Sequence, residues 1–297
     1  MSLPLDGAAS LDGRERLAGH GWSPTRAVVR TGAALSSLGW RLIFLGKLLQ
    51  FNLQQGDIVI GSYPRSGTTW LQMIMYQIVG GGKVDFEHIS EVSPYLERSL
   101  MTRRDLSSLP SPRILKTHLD YTKVPKGSAH YIYVYRNCED VLLSNFHFLV
   151  SHGGFRADFA KFFNMFVEGK VPGGSWVKHV SDWKRNSARL PVHFVRYEDL
   201  IADFKSCVAQ IATFCGYPIA ESNWPLLEEH CSFAFMKKHE DKFDHMNEVL
   251  RERGFVPGQF VREGKVGSGS AALTKEQRRI LAGFEQFHHA SDSLQAR

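Results

Sequence analysis

The stretch from Asp57 to Met75 leaves this chain few ways to fold. Asp57 to Ser62 (DIVIGS) is a short, mostly β-branched apolar run, the pattern of a strand buried on both faces. Ser62 to Trp70 (SYPRSGTTW) follows it, and Thr68 to Met75 reads as a helix. A buried strand that enters a helix through a glycine-containing loop is the geometry of an anion cradle. N–H groups at a helix start point outward, and the helix dipole favours negative charge there. Gly67 lets the backbone approach a ligand closely, Ser66, Thr68 and Thr69 offer hydroxyls, and Arg65 adds charge. The ATP-type loop has the form G-x-x-x-x-G-K-[ST]. Gly61 and Gly67 stand one residue too far apart for it, and Thr68 replaces its lysine. The plain alternative is a strand–turn–helix connection without a ligand, which needs no hydroxyl cluster beside an arginine.

Further strands are expected at Arg113 to Thr117, Ala129 to Arg136 and Val192 to Tyr197. Helices are expected at Asn137 to Val150, at about 198–215, over about 220–253, and after Thr274, where T-x-x-Q forms a capping box. The glycine-rich stretch 254–272 reads as a loop. Strands alternating with helices predict an α/β protein with a parallel central sheet flanked by helices. No composition break marks a linker, so 51–297 is taken as one domain and 1–50 as an N-terminal extension. Residues 34–51 read as an amphipathic helix that either packs on the domain or lies on a membrane surface. Arg41 and Lys47 interrupt its apolar run, so it does not span a bilayer.

The 297 residues carry 36 Lys plus Arg against 30 Asp plus Glu, a net charge of +6. That excess suits an anionic ligand and is too small and dispersed to imply nucleic acid. Cys138, Cys207, Cys215 and Cys231 show no C-x-x-C spacing, so neither a zinc site nor any other metal is expected. The N-terminus lacks a secretory pattern, and a reducing, cytoplasmic location is expected.

Y-P-R-S-G-T-T-W resembles the 5′-phosphosulfate loop of the cytosolic sulfotransferases, which usually reads Y-P-K-S-G-T-T-W. Three further stretches resemble that family in order: Lys116-Thr117-His118-Leu119; Tyr133 to Asn137 running on to Ser144 and Phe148; and Arg262-Glu263-Gly264-Lys265-Val266-Gly267. The resemblance covers about residues 50–290. It implies a sulfotransferase fold related to P-loop nucleotide kinases. The implied co-substrate is 3′-phosphoadenosine 5′-phosphosulfate, with adenosine 3′,5′-bisphosphate as product. Arg65, Ser66, Gly67, Thr68 and Thr69 would take the 5′-phosphosulfate, and Arg136 and Ser144 the 3′-phosphate. Arg262, Glu263 and Gly264 would close over the latter. Trp70 and Phe233 match the adenine-stacking positions, with core packing as their rival role, and Tyr197 and Cys231 or Ser232 resemble the groups at the base edge.

The attacking hydroxyl must lose a proton, and imidazole titrates near working pH, so His118 is the expected base. Lys116 and Arg65 would stabilise the charge that builds on the leaving phosphate oxygen. Arg65 stands where the family has lysine; it keeps the charge but cannot act as a general acid. Glu263 stands in place of a lysine, Ser268-Gly269-Ser270 in place of D-W-K, and the family's dimer segment is absent. Weaker donor binding is therefore expected, and the oligomeric state is left open.

Phe146, Phe148, His152 and Tyr95 are the expected walls of the acceptor site, with Phe86 and Phe255 as further candidates. An apolar pocket with a few polar groups suits a small lipophilic phenol or alcohol. Two other readings stand beside this one. A family member that binds nucleotide or lipid without turnover would fit Glu263 and the altered 268–270. A small-molecule P-loop kinase would need a lysine after Gly67 and a strand-end aspartate for Mg²⁺, and neither is evident.

Overall fold

The computed structural model describes residues 39–152, 158–244, 260–262 and 264–293, with side chains described except at 152 and 287–293. Its contacts divide the chain between Leu45 and Gly46. A helix, α1, occupies residues 39–50. In the first unit its residues Trp40, Leu42, Ile43 and Leu45 are exposed. None of the described helices is long and apolar enough to cross a membrane.

The second unit is built on four parallel strands in the order β2-β1-β3-β4: β1 (Ile58–Ser62), β2 (Ile114–Thr117), β3 (His130–Tyr135) and β4 (Val192–Arg196). β1 is buried along its whole length, which is why its sequence is an unbroken apolar run and not an alternating one. Side chains still alternate between the two faces. Ile58, Ile60, Ile132 and Val134 pack into an aliphatic core with α2 (Thr68–Gly80), α8 (Phe204–Cys215) and α9 (Trp224–His230). Tyr131 and Tyr133 turn the other way onto Trp183 of α6 (Trp176–Arg185), the Tyr133 ring stacking at 4.8 Å. Gly61 makes room for that indole: a Cβ there would sit 3.1 Å from it.

From β1 the chain returns to the sheet on one side as β2 and then on the other as β3. The carboxyl ends of β1 and β3 thus flank a topological switch point, where open α/β sheets bind ligands. Every strand delivers a candidate residue to that edge: Ser62 and the loop after it, Thr117 and His118, Tyr135 and Arg136, Arg196 and Tyr197.

The four expected strands form, as do α2, α4 (Cys138–His152) and the last helix, α12 (Lys275–Ser293). α12 opens with the expected reciprocal cap, in which Gln277 N–H donates to Thr274 Oγ1 and Thr274 N–H to Gln277 Oε1. Three results differ from expectation. The helix expected at 198–215 is two helices, α7 (Tyr197–Ala202) and α8, because Asp203 leaves the helical region and caps Ser206 N–H. The stretch expected as loop contains a short helix, α11 (Ser268–Ala272). Asp140 anchors it by accepting from Gly267 and Gly269 N–H at 3.0 and 2.7 Å. Of the helical stretch expected at 220–253, α9 and α10 (Phe233–Lys238) form, while 245–253 lie outside the described residues. α3 (Leu96–Thr102), α5 (Phe159–Val167) and α6 arise in segments to which no element was assigned.

Candidate active site

A cavity of about 560 Å³ opens at the switch point. Arg65, Gly67, Thr68, Thr69, Trp70, Lys116, His118, Arg136, Ser144, Tyr197, Cys231, Phe233, Arg262 and Gly264 all line it, together with the acceptor candidates Tyr95 and Phe148. Residues assigned to three separate tasks therefore share one chamber.

The loop is shaped by two left-handed residues, Arg65 at φ 70° and Gly67 at φ 99°. Gly67 caps α2, and a Cβ there would lie 2.6 Å from the Tyr197 ring, so only glycine fits both the backbone and the space. Ser62 Oγ and Thr68 Oγ1 are hydrogen-bonded at 2.5 Å, which ties the strand end to the helix start. Ser66 is fully buried and its Oγ has no protein partner. Arg65 runs back across the cavity. Its Nε donates to Ser144 Oγ at 3.2 Å and its Nη2 to the Phe260 carbonyl at 3.0 Å, with the guanidinium held 4.6 and 5.0 Å from the Phe148 and Phe260 rings. Burial pushes its pKa down to about 10, with Arg136 adding to the fall, so it remains a cation at neutral pH.

Arg136 leaves β3 beside Tyr197, its guanidinium 4.4 Å from that ring. Its Nη2 donates to the Lys265 carbonyl at 2.7 Å and pairs with Asp140 at 3.2 Å, while its Nε is buried without a partner. Trp70 Nε1 donates to the Cys231 carbonyl at 2.7 Å, and the indole stacks on Phe204. Phe233 presents a half-exposed ring that lies against Gly264, where any Cβ would strike it at 2.3 Å. Glu263 lies outside the described residues.

His118 is fixed at three points. Its Nδ1 lies 2.9 Å from the Ser62 carbonyl oxygen. A carbonyl only accepts, so Nδ1 carries the hydrogen and Nε2 keeps its lone pair. Its backbone N–H donates to Glu97 Oε1 at 2.7 Å, and its carbonyl accepts from His179 Nε2 at 3.1 Å. The same rule fixes His179, whose Nδ1 accepts from the Tyr133 hydroxyl at 2.7 Å. Burial, reinforced by the Lys116 charge, pushes His118 down to about 3, so it is neutral at working pH. Burial lowers His179 to about 4. Lys116 Nζ sits 5.3 Å from the Tyr95 ring. Burial lowers Lys116 to about 7 against the opposing Glu97 charge, and raises Glu97 to about 7 against the His118 N–H bond.

Not every expected wall residue faces the cavity. The Phe146 ring packs on Phe159 and Phe162 at 5.1 and 5.4 Å and does not line the chamber. Phe86 belongs to the core, against Tyr76 and Phe243. The His152 side chain and Phe255 lie outside the described residues. Conversely, Glu97, Asn145, His179 and Phe260 escaped the sequence reading. Glu97 is the first-turn acid of a helix that had not been assigned, and His179 is one of the buried positions, with Trp176, Val180, Ser181 and Trp183, of an amphipathic W-V-K-H-V-S-D-W pattern, a signal that points equally to core.

Fold and cavity together define an α/β protein with Arg65, Arg136 and Arg262 around one chamber that also holds a neutral histidine and a buried lysine. A family model described as the sulfotransferase domain matches residues 55–289. Amine sulfotransferase of Oryctolagus cuniculus is 31% identical over 246 residues, covering 78% of this chain and 80% of that protein. Sulfotransferase 1B1 of Mus musculus is also 31% identical over 246 residues, covering 78% and 82%. Mouse sulfotransferase SULT7A1, solved in complex with PAP, aligns with a TM-score of 0.63 at 26% identity, over 82% of this chain and 87% of that one. Retinol dehydratase, solved with androsterone and PAP, shares the fold with a TM-score of 0.69 at 24% identity, over 80% and 82%. The chain belongs to the sulfotransferase domain family.

Proposed function

We propose that this sulfotransferase moves a sulfuryl group from 3′-phosphoadenosine 5′-phosphosulfate to a hydroxyl of a small, lipophilic phenol or alcohol. The observation that carries the reading is His118: neutral, locked in one tautomer, with Nε2 unprotonated beside Lys116 at the carboxyl edge of the sheet. The relatives' printed activities and the PAP held by the SULT7A1 structure support the donor. The chain's own residues fit it. Arg136 Nε is a buried polar atom without a protein partner on a residue that lines the cavity together with Arg65 and Arg262, and Ser66 Oγ, likewise buried and unpartnered, belongs to the loop whose other residues line it.

In this reading the 65–69 loop holds the 5′-phosphosulfate, Arg136 and Ser144 hold the 3′-phosphate, and Trp70 and Phe233 bracket the base. The donor supplies the electrophilic sulfur and an anionic leaving group. His118 Nε2 takes the acceptor's hydroxyl proton as its oxygen attacks. Lys116 and Arg65 face the phosphate oxygen that gains the electron pair, and their charge is worth most at that moment. Glu97 and His179 keep the His118 main chain in place, so the imidazole needs no reorganisation. Tyr95 and Phe148 form the acceptor's apolar wall. A cytoplasmic location is part of the reading and is supported by four free cysteines, and exposed apolar side chains on α1 are compatible with peripheral membrane contact through 34–51.

Calorimetric titration with adenosine 3′,5′-bisphosphate, ADP and ATP-Mg²⁺ tests the donor site. Binding of the bisphosphate alone is expected. Preference for ATP-Mg²⁺ would overturn the reading, and bisphosphate binding without sulfate transfer to any phenol would leave a binding protein in its place.

A further inference from the structure

Asn145 is 2% exposed, its Nδ2 is buried, and that amide nitrogen has no hydrogen-bond partner. The residue lines the cavity next to Ser144, with Phe148 and Leu149 one turn on. Positions 144, 145, 148 and 149 fall on one helical face, whereas Phe146 turns to Phe159 and Phe162. Leaving a buried amide unpaired costs about 1–3 kcal/mol, and a leucine of similar volume would avoid that cost. Of the other residues that line the cavity, Phe148, Leu149, Pro172 and Gly173 offer only carbon surface or backbone. One unsatisfied amide in an apolar wall is how a pocket orients a ligand through a single polar contact. Asn145 also lies beyond Ser144 along α4, away from Arg136, on the side where the aromatic wall begins.

We propose that Asn145 is a specificity-determining residue of the acceptor chamber, its amide donating a hydrogen bond to a second oxygen of the acceptor. The proposal rests on the sulfotransferase reading and deepens it: the favoured acceptors are phenols or alcohols that carry another hydroxyl, ether or carbonyl oxygen.

Isomeric dihydroxynaphthalenes serve as a ruler against 2-naphthol, titrated calorimetrically into protein saturated with adenosine 3′,5′-bisphosphate. At least one isomer should bind roughly ten-fold tighter than 2-naphthol, the value of one neutral hydrogen bond. In Asn145→Leu that ratio should fall to within about two-fold of unity, while 2-naphthol and bisphosphate affinities stay unchanged. The melting temperature should hold or rise, since the variant removes an unpaired amide. Asn145→Ala should lose the same preference, which covers the case in which leucine does not fit. No preference for any isomer in the wild type would overturn the proposal, as would a ratio that survives both substitutions. Loss of bisphosphate affinity in the variants would overturn it too, by assigning the amide to the donor. Sulfation of naphthols at equal efficiency would sink Asn145 and spare the function; the expected binding ratio without sulfate transfer would do the reverse.

Discussion

The two halves of the cavity are built in opposite ways. The half proposed to hold the anionic donor comes from short runs of neighbours: the loop from Arg65 to Trp70, Arg136 with Ser144 on the helix that follows its strand, and Arg262 with Gly264. The half around His118 is assembled from afar. Glu97 reaches the His118 N–H from α3, Ser62 its ring from β1, and His179 its carbonyl from α6, which Tyr133 of β3 then secures. An anion needs many donors converging on one place, which a strand–loop–helix supplies locally. A proton acceptor needs one atom held in one state, and only tertiary contacts hold a ring on all sides.

His118→Ala should separate the halves most sharply. General-base catalysis contributes roughly 10²–10⁴-fold, so sulfate transfer at saturating donor should fall by that factor. Bisphosphate affinity should change little, because His118 is not among the groups proposed to bind the anion. An unaffected rate would remove the base from the mechanism; an equally large loss of bisphosphate affinity would show that the halves are not separable.

Arg136→Ala is the mirror experiment. Hydrogen bonds to charged groups are worth about 1.5–3 kcal/mol, so the preference for adenosine 3′,5′-bisphosphate over the 5′-monophosphate should fall roughly 10–100-fold. Acceptor KM at saturating donor should be nearly unchanged. A preserved 3′-phosphate preference would move that site elsewhere, with Arg262 and Lys265 the nearest candidates. Asp140 complicates the position, since the pair at 3.2 Å partly neutralises Arg136 before any phosphate arrives.

This contrast also explains what could be read from residue order. The loop at 62–70 announced itself because its chemistry and its backbone geometry occupy the same nine letters. Lys116 and His118 were legible because they end an apolar strand, and strand ends face the ligand edge. Glu97 and His179 were not. Each is an ordinary helix residue until the fold sets it against the His118 peptide. Phe146 and Phe148 differ by two positions in F-H-F, enough to place them on different helix faces, and only the seating of α4 decides which ring meets the cavity. The break at Asp203 was equally hidden, because its capping bond competes with a helical pattern that runs on through it.

The last expected effect is on stability, and it bears on the distant half alone. His179 falls from 6.5 to about 4 on folding, because burial disfavours its charged form and the hydrogen bond to the His118 carbonyl, with the Asp120 and Asp182 charges, only partly offsets that. Between those values the unfolded chain holds a proton that the folded chain refuses, so stability rises with pH across the window and is lost as the pH drops through it. His118 acts in the same direction. Glu97 acts in the opposite one between 4.5 and about 7, since its folded form keeps a proton that the unfolded form gives up. The total curve therefore mixes signs, and a difference curve is needed. His179→Gln keeps an amide donor for the His118 carbonyl and an oxygen for the Tyr133 hydroxyl, and it removes only the titration. The gap in unfolding free energy between wild type and variant should shift by about 1.4 kcal/mol per pH unit across that window, to the wild type's disadvantage as acid is added. Urea unfolding at half-unit pH steps would measure it. A gap that stays constant would mean that His179 protonates as freely in the folded chain as in the unfolded one, and that its imidazole is not held away from water behind His118.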